Sequence, residues 1–108
     1  MKQPEISYRF SPDARADYFL ILDYISNTLV NPDAADAFSD KLQKSIKLVQ
    51  AFPELHPVEM RFKHEYRKMV VGSYLVFSVI FENEIVVARI LNSRQNHKRI
   101  LRKTDSLS

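Results

Sequence analysis

The sequence has no cysteine and only one glycine, Gly72, among its 108 residues. The lack of cysteine excludes disulfide bonds, thiolate metal sites and a catalytic thiol. A single glycine is too few for a glycine-rich phosphate-binding loop. No run approaches the roughly 18 apolar residues that a membrane helix needs, and no apolar run of signal-peptide length follows the start. We therefore expect a cytoplasmic protein.

The overall composition is that of an ordinary globular protein, with 45% hydrophobic and 27% charged residues. A chain of 108 residues can bury one two-layer core, and it is too short for two separate cores. We therefore expect a single domain that spans residues 1–108.

Positive charge is concentrated in the second half of the chain. Residues 1–58 carry six Lys/Arg against eight Asp/Glu, whereas residues 59–108 carry ten against five. No acidic residue interrupts the cations between residues 89 and 103, which are Arg89, Arg94, Lys98, Arg99, Arg102 and Lys103. Such a patch suits a polyanion or an acidic protein partner. A solvated tail that only favours solubility would have the same charge.

The first third of the chain predicts a strand followed by a helix. Residues 5–10 alternate apolar and polar side chains, which is typical of a strand. Ser11, Pro12 and Asp13 then supply a helix N-cap, a proline for the first helical position and an acidic first-turn residue. One helical face is apolar, formed by Ala14, Tyr18, Ile21, Leu22, Ile25 and Leu29. We expect this helix to end near Thr28 or Leu29.

A second helix follows at once. Asn31, Pro32 and Asp33 repeat the same start signal. Its apolar face is formed by Ala35, Phe38, Leu42, Ile46 and Val49. Phe52 and Pro53 close it, because proline disfavours helical geometry in the residue before it. The short connection predicts that the two helices form an antiparallel hairpin.

The second half of the chain predicts a meander of three strands. Apolar, β-branched and aromatic residues dominate the segments predicted as strands, which are residues 65–71, 73–81 and 84–91. Asn83 suits the turn before the last strand, because asparagine tolerates positive φ. Residues 54–63 have no periodicity and are predicted to be a surface loop. A last turn of helix is predicted at residues 95–102.

This order of elements predicts an α+β domain. An N-terminal strand, an antiparallel two-helix hairpin and a three-stranded antiparallel meander would form one antiparallel sheet with helices on one face. In the strand at 73–81, the predicted core face is Leu75, Phe77, Val79 and Phe81. We expect the other face to be open and concave, lined by Tyr74, Val76, Ser78 and Ile80. The large aromatic residues Tyr18, Phe38, Phe77 and Phe81 are also expected in the core.

Several local phrases, in this order and spacing, resemble the RelE/ParE superfamily of type II toxin-antitoxin toxins, the type also described as plasmid stabilisation proteins. They cover most of the chain: FSPDARADYFLILDYI, NPDAADAF, FPE, YRKMVVGSYLVFSVIFENEIVVARIL and SRQNHKRIL. The resemblance implies a fold of the kind predicted above. It also implies a partner antitoxin that wraps over the toxin and holds it inactive.

The resemblance leaves the mode of action open. RelE-like toxins are ribonucleases that cleave messenger RNA at the ribosome without a metal, whereas ParE-like toxins bind DNA gyrase and poison it. A third alternative is a non-toxic binding module that only forms a complex with an antitoxin-like partner. None of these alternatives requires a cofactor.

Metal-independent RNA cleavage needs a group that transfers a proton and cations that stabilise the phosphate in the transition state. The candidates for a catalytic role are Arg94, His97 and Arg67. The candidates for binding a target or a nucleic acid are Arg61, Arg67, Arg89, Arg94, Lys98 and Arg99. By the resemblance, Arg94 occupies the place of a phosphate-stabilising arginine of the nuclease branch, and His97 falls near the place of its terminal Tyr or His.

The chain departs from the nuclease pattern in two respects. Tyr74 or Leu75 stands where the nuclease branch often has an arginine, and Glu82 and Glu84 lie in a turn rather than beside Arg94. These departures favour the gyrase-binding alternative. Several candidates also have structural interpretations, because strand arginines extend their charged ends to solvent and an exposed histidine needs no function. The remaining histidines lack a metal-ligand spacing, so no metal site is expected.

Overall fold

The computed structural model describes residues 6–104 and Leu107. Within them the chain forms five strands and three α-helices. The strands are β1 (Ser7–Phe10), β2 (Val58–Arg61), β3 (Glu65–Val71), β4 (Tyr74–Phe81) and β5 (Glu84–Asn92). The helices are α1 (Pro12–Asp23), α2 (Pro32–Ala51) and α3 (His97–Lys103). The α+β class is confirmed, and the predicted strand start at residue 5 lies outside the described residues. None of the helices in this part of the chain is long and apolar enough to cross a membrane.

Both predicted helix starts are confirmed. Ser11 Oγ accepts a hydrogen bond from the backbone N–H of Ala14, and Asn31 Oδ1 accepts one from Ala34, each at 3.1 Å. These side-chain oxygens satisfy amide groups that have no partner within the helix. The predicted second helix agrees with α2, which ends at Ala51 before Phe52.

The first helix changes its pitch before it ends. After Asp23 the chain continues in one π-helical turn, Tyr24–Thr28, which agrees with the predicted end near Thr28. Val30, in the connection to α2, has a φ of 51° and is 78% exposed. A β-branched side chain rarely adopts this left-handed conformation, so the connection between the helices is strained.

The sheet is mixed, in the order β1-β5-β4-β3-β2. The predicted antiparallel meander of β3, β4 and β5 is confirmed. The prediction of a wholly antiparallel sheet was wrong, because β1 pairs in parallel with β5. These two strands are joined through the whole domain rather than by a hairpin turn, so no turn fixes their relative direction.

The loop predicted at residues 54–63 contains a strand. Val58–Arg61 is the edge strand β2 and pairs antiparallel with β3 across a register shift between Val58 and Met60. Four residues interrupted by a bulge are too short for their alternation to stand out between the nearby prolines.

Both faces of the sheet are covered, so the predicted open concave face was wrong. The helices pack on one face, where Val76 is fully buried and Ser78 is 7% exposed. On the second face, α3 brings Leu101 against Phe77 in a core that also contains Leu107. Because β4 is buried on both sides, its composition does not show which face the helices cover.

A β-bulge in β5 shifts the alternation of its side chains. Phe77 pairs with Arg89 and Ser78 pairs with Val87, which leaves Ala88 without a directly opposed residue. The residues that face the helical core are Ile85, Val87 and Ile90, and those that face the second core are Val86, Ala88 and Leu91. A strict period of two therefore fails beyond the bulge.

The predicted aromatic core is largely correct. Phe38 and Phe77 are buried, and Tyr18 packs against the helical core while half-buried. The prediction for Phe81 was wrong, because this side chain is 45% exposed. Phe81 is the last residue of β4, next to the turn, where neither layer covers it fully.

Candidate functional site

The end of β5 is fastened to α1 by an ion pair between Arg89 and Asp17. Arg89 Nε donates to Asp17 Oδ2 at 2.7 Å, and Nη2 donates to Oδ1 at 2.9 Å. Asp17 Oδ2 also accepts the backbone N–H of Ile90 at 2.9 Å. The hydrogen bond with Asp17 raises the pKa of Arg89 above its ordinary value, although partial burial opposes the rise. Arg89, a predicted binding residue, is thus engaged in holding α1 against the sheet.

A groove of about 710 Å³ opens beside this ion pair, between the first helix and the chain that follows β5. Its wall on the helix side is formed by Leu20, Ile21 and Tyr24. Leu20 is 70% exposed and Tyr24 is 48% exposed, so this wall is apolar and accessible to a partner. The opposite wall contains Tyr74, Ser93 and Arg94. We call this cavity the Arg94 groove.

Local hydrogen bonds shape the chain around Arg94. Asn92 Oδ1 accepts the backbone N–H of Arg94 at 2.9 Å, and Gln95 Oε1 accepts that of Asn92 at 3.0 Å. The side chain of Arg94 is exposed, and no acceptor among the described residues bonds its guanidinium. Among the described residues, Arg94 is therefore an unneutralised cation in the lining of a groove that has one apolar wall.

The titratable groups of the Arg94 groove are poorly suited to accept a proton. Asp17 is the one carboxylate among the lining residues of this described cavity, and it is already bonded to Arg89 and to the amide of Ile90. Burial, together with the nearby Tyr24, raises the pKa of Tyr74 above its ordinary value of 10.0. Tyr74 therefore remains protonated at neutral pH.

His97 is the first residue of α3, and it points away from the Arg94 groove. Its ring packs against Phe77, on the second face of the sheet, with the ring centroids 5.6 Å apart. Its Nε2 lies 2.7 Å from the carbonyl oxygen of Asn92, and because a carbonyl only accepts, Nε2 carries the hydrogen in this bond. His97 thus fixes the start of α3 relative to the end of β5.

Arg67 lies on the opposite side of the sheet from His97. Residues paired directly across strands share a face. Arg67 pairs with Ser78, which pairs with Val87 of the helical core, so Arg67 is on the helix-covered face. Its Nη1 donates to the carbonyl oxygen of His56 at 2.6 Å. The structure therefore does not bring the three predicted catalytic residues together.

The other predicted binding residues form a separate group. Arg61, on the edge strand β2, pairs with Glu65 at 2.9 Å. Lys98 and Arg99 are exposed on α3. Lys98 and Arg99 are thus close in the chain to Arg94 but outside the lining of the Arg94 groove. Among the residues that the structure describes, no group of three or more His, Asp or Glu side chains is arranged to hold a metal ion.

Sequence analysis missed the contribution of α1 to the Arg94 groove. It assigned the apolar residues of this helix to one buried face, but Phe19, Leu20 and Tyr24 are exposed on the other side. The available signal was that apolar residues occur on both sides of this helix, although only one of its faces is buried. Asp17 carried no signal of its own, because its role depends on a residue 72 positions away.

A solved structure has the same architecture as this chain. That structure is titled "Chromosomal ParDE TA system from P. aeruginosa", and the match has a TM-score of 0.67 over 82% of this chain and 96% of the other chain. At 18% identity the similarity concerns the fold. No curated protein sequence matches the chain.

The family is shown by the sequence itself. Residues 8–97 match the family described as "ParE toxin of type II toxin-antitoxin system, parDE". The match covers most of the chain, from β1 to the start of α3. The chain therefore belongs to the ParE toxin family, within the RelE/ParE superfamily.

Proposed function

We propose that this chain is the toxin of a toxin-antitoxin pair and that it inhibits growth by binding DNA gyrase. Membership of the ParE toxin family supports the first part. The observation that supports binding rather than catalysis is the chemistry of the Arg94 groove, which combines exposed apolar side chains with an arginine that has no acceptor among the described residues.

The groove lacks an uncommitted carboxylate or histidine that could serve as the base in RNA cleavage. Cleavage without a metal needs one group that removes a proton from the 2′-hydroxyl and one that protonates the leaving oxygen. Asp17 accepts three hydrogen bonds, two from Arg89 and one from the amide of Ile90, and Tyr74 keeps its proton because its pKa is raised. His97 contacts the other face of the sheet. Arg94 therefore has no uncommitted carboxylate or histidine beside it to act as a base within the described lining of the groove.

The same features suit recognition of a protein surface. Arginine and tyrosine are enriched among the residues that dominate protein–protein binding energy. Arg94 offers a cation for a carboxylate, and Leu20 and Tyr24 offer adjacent apolar area. A partner that fills the groove would surround the cation with apolar atoms and thus strengthen its pairing with a carboxylate.

We propose that the antitoxin occupies this groove with an acidic amphipathic segment. The apolar side of the segment would pack on Leu20 and Tyr24, and a carboxylate would pair with Arg94. The segment would extend over the helices towards the edge of the sheet. Such an antitoxin would inactivate the toxin by covering the residues that bind the target.

Expression in a bacterial host tests the toxin assignment. The chain expressed alone should arrest growth, and coexpression with the neighbouring gene product should restore it. The pair should also copurify as a complex that survives moderate salt. Normal growth with the chain alone, together with a monomeric protein in the presence of the neighbouring product, would support the binding-module alternative and overturn the proposal.

Assays with purified protein separate the two modes of action. Gyrase supercoiling should be inhibited, and a translation-coupled assay should show no cleavage of messenger RNA. Arg94→Ala should abolish the inhibition, while Arg15→Ala, which removes an exposed arginine outside the groove lining, should retain it. Cleavage of messenger RNA at unchanged gyrase activity would instead identify a nuclease.

A further inference from the structure

The outward side of α3 is entirely basic. Its exposed residues are Lys98, Arg99, Arg102 and Lys103. Leu101 is fully buried beneath the helix, and Asn96 caps its start by accepting the backbone N–H of Arg99 at 3.1 Å. The four cations are therefore held on a short helix that is anchored to the second face of the sheet. We call them the α3 basic face.

The position of two of these cations opposes the stability of the helix. The amino-terminal end of a helix carries partial positive charge and favours acidic residues. The first turns of α1 and α2 contain Asp13 and Asp33, whereas the first turn of α3 has no acidic residue and contains Lys98 and Arg99. The spacing of Lys98 and Arg102 also places like charges one turn apart. Helix stability accounts for Arg102 and Lys103, which lie in the last turn, but it does not explain Lys98 and Arg99.

Four cations of the sheet are paired with carboxylates within the fold. These ion pairs are Arg9–Glu84, Arg61–Glu65, Lys68–Glu59 and Arg89–Asp17. Within residues 6–104 and Leu107, the α3 basic face makes no such pair. Its positive potential is therefore available to an external anion.

A row of aromatic rings begins at this face. The guanidinium carbon of Arg102 lies 5.2 Å from the ring centroid of Phe62. From Phe62 the ring centroids continue through the fully buried Tyr66 and through His64 to Phe81, at successive separations of 6.4, 6.4 and 6.2 Å. Phe81 is 45% exposed at the far end of the row. Aromatic rings beside cations are the combination that binds unstacked bases and their phosphates.

We propose that the α3 basic face and the exposed Phe81 at the end of this row bind a single strand of nucleic acid. Lys98, Arg99 and Arg102 contact successive phosphates, and a base stacks on the exposed ring of Phe81. A single strand fits better than a duplex, because its bases are free to meet a ring. This surface is separate from the Arg94 groove, so the inference goes beyond gyrase binding and does not depend on it.

Binding of labelled oligonucleotides to the purified full chain tests the phosphate contacts. Fluorescence anisotropy with a 12-nucleotide single strand should show binding that weakens as salt increases. In Lys98→Gln/Arg99→Gln, the slope of log affinity against log salt should decrease by about 1.4, since each phosphate contact to a single strand contributes about 0.7. Lys44→Gln/Lys47→Gln removes two exposed cations from α2 and should leave the slope unchanged. Equal slopes in both double variants would overturn the proposal.

Stacking is tested at Phe81. Phe81→Leu keeps an apolar side chain and should weaken single-strand binding at least about fivefold, because a stacked base contributes on the order of 1 kcal/mol or more. The exposed Phe19→Leu, on α1, is the matched control and should bind as the wild type does. Parallel titrations with DNA and RNA single strands show which of the two nucleic acids binds more tightly. Absence of binding at low salt, or tighter binding of a duplex than of either single strand, would overturn the proposal.

Discussion

Arg89 and Arg94 are five positions apart in the chain, but their side chains have opposite environments. Arg89 is part-buried and makes a bidentate ion pair with Asp17. Arg94 is exposed and has no hydrogen-bond acceptor for its guanidinium in the described part of the chain. The first arginine holds helix and strand together, and the second remains available to a partner.

The difference arises from α1 and not from the arginines themselves. Asp17 lies on α1 where the helix passes the edge of β5, and it also accepts the amide of Ile90. One turn later α1 presents Leu20, and the π-helical turn that follows presents Tyr24; neither side chain offers Arg94 a charge. Whether a charged side chain forms a structural ion pair or remains available to a partner thus depends on the residues that the neighbouring element places beside it. The local sequence does not reveal those residues.

The largest expected effect comes from truncating a core residue that lies between the two arginines in the chain. Leu91 is buried on the second face of the sheet, so Leu91→Ala should lower the free energy of unfolding by about 2–5 kcal/mol. Chemical denaturation measures the change. Leu20→Ala, at an exposed position of the groove, is the control and should change stability by less than about 0.5 kcal/mol. Equal stabilities of the two variants would contradict the assignment of the core.

Asp17→Asn tests whether Arg89 is structural, because it leaves the part-buried guanidinium without its charged partner. We expect a loss of about 1.5–3 kcal/mol, the range for hydrogen bonds to charged groups. Asp36→Asn, at an exposed position of α2, should alter stability by less than about 0.5 kcal/mol. Thermal melting of both variants measures the difference, and an unchanged melting temperature for Asp17→Asn would make the ion pair dispensable.

Arg94→Ala tests whether the exposed arginine serves binding to a partner rather than the stability of the fold. It should change the free energy of unfolding by less than about 0.5 kcal/mol but abolish growth arrest. His97→Ala should lower stability by about 0.5–1.5 kcal/mol through the lost hydrogen bond to Asn92, and its toxicity should persist. Growth assays with both variants, and with the double variant, measure these effects. Full toxicity of the double variant would remove Arg94 from the site.

The smallest effect concerns the pH dependence of stability through Tyr74. Burial raises its folded pKa above the ordinary value of 10.0, so between these two values the unfolded chain loses a proton that the folded chain keeps. Stability is therefore independent of this group below about pH 10 and decreases as pH rises above it. Tyr74→Phe should reduce that alkaline decrease in denaturation measured from pH 8 to 11. An identical pH profile for the variant would show that Tyr74 is not the group responsible.

Much of the fold was predictable because its signals are local. The caps at Ser11 and Asn31, the apolar faces of both helices and the meander of three strands each depend on residues within one element. The parallel pairing of β1 and the bulge at Ala88 depend on partners far along the chain. Local periodicity contains no information about such partners, so these features required the structure.

The candidate site was predictable only in part, for the same reason. Arg94 was selected from charge and from the family resemblance, the cations of α3 were selected from charge, and the structure places them on two separate surfaces. Arg67 and His97 are separated by the sheet, a relation set by cross-strand register rather than by composition. Leu20 and Tyr24 were not predicted as site residues, because an apolar residue on a helix is usually part of the core.

The left-handed conformation of Val30 has a consequence for thermal tolerance. A branched residue with this backbone geometry costs on the order of 1–3 kcal/mol, whereas a domain has a net stability of about 5–15 kcal/mol. The strain at this one surface position between the helices therefore lowers the free energy of unfolding by a sizeable fraction of its total. Asparagine accepts the same geometry with less strain. The heat resistance of this protein can thus be increased at Val30 without altering the core, the Arg94 groove or the α3 basic face.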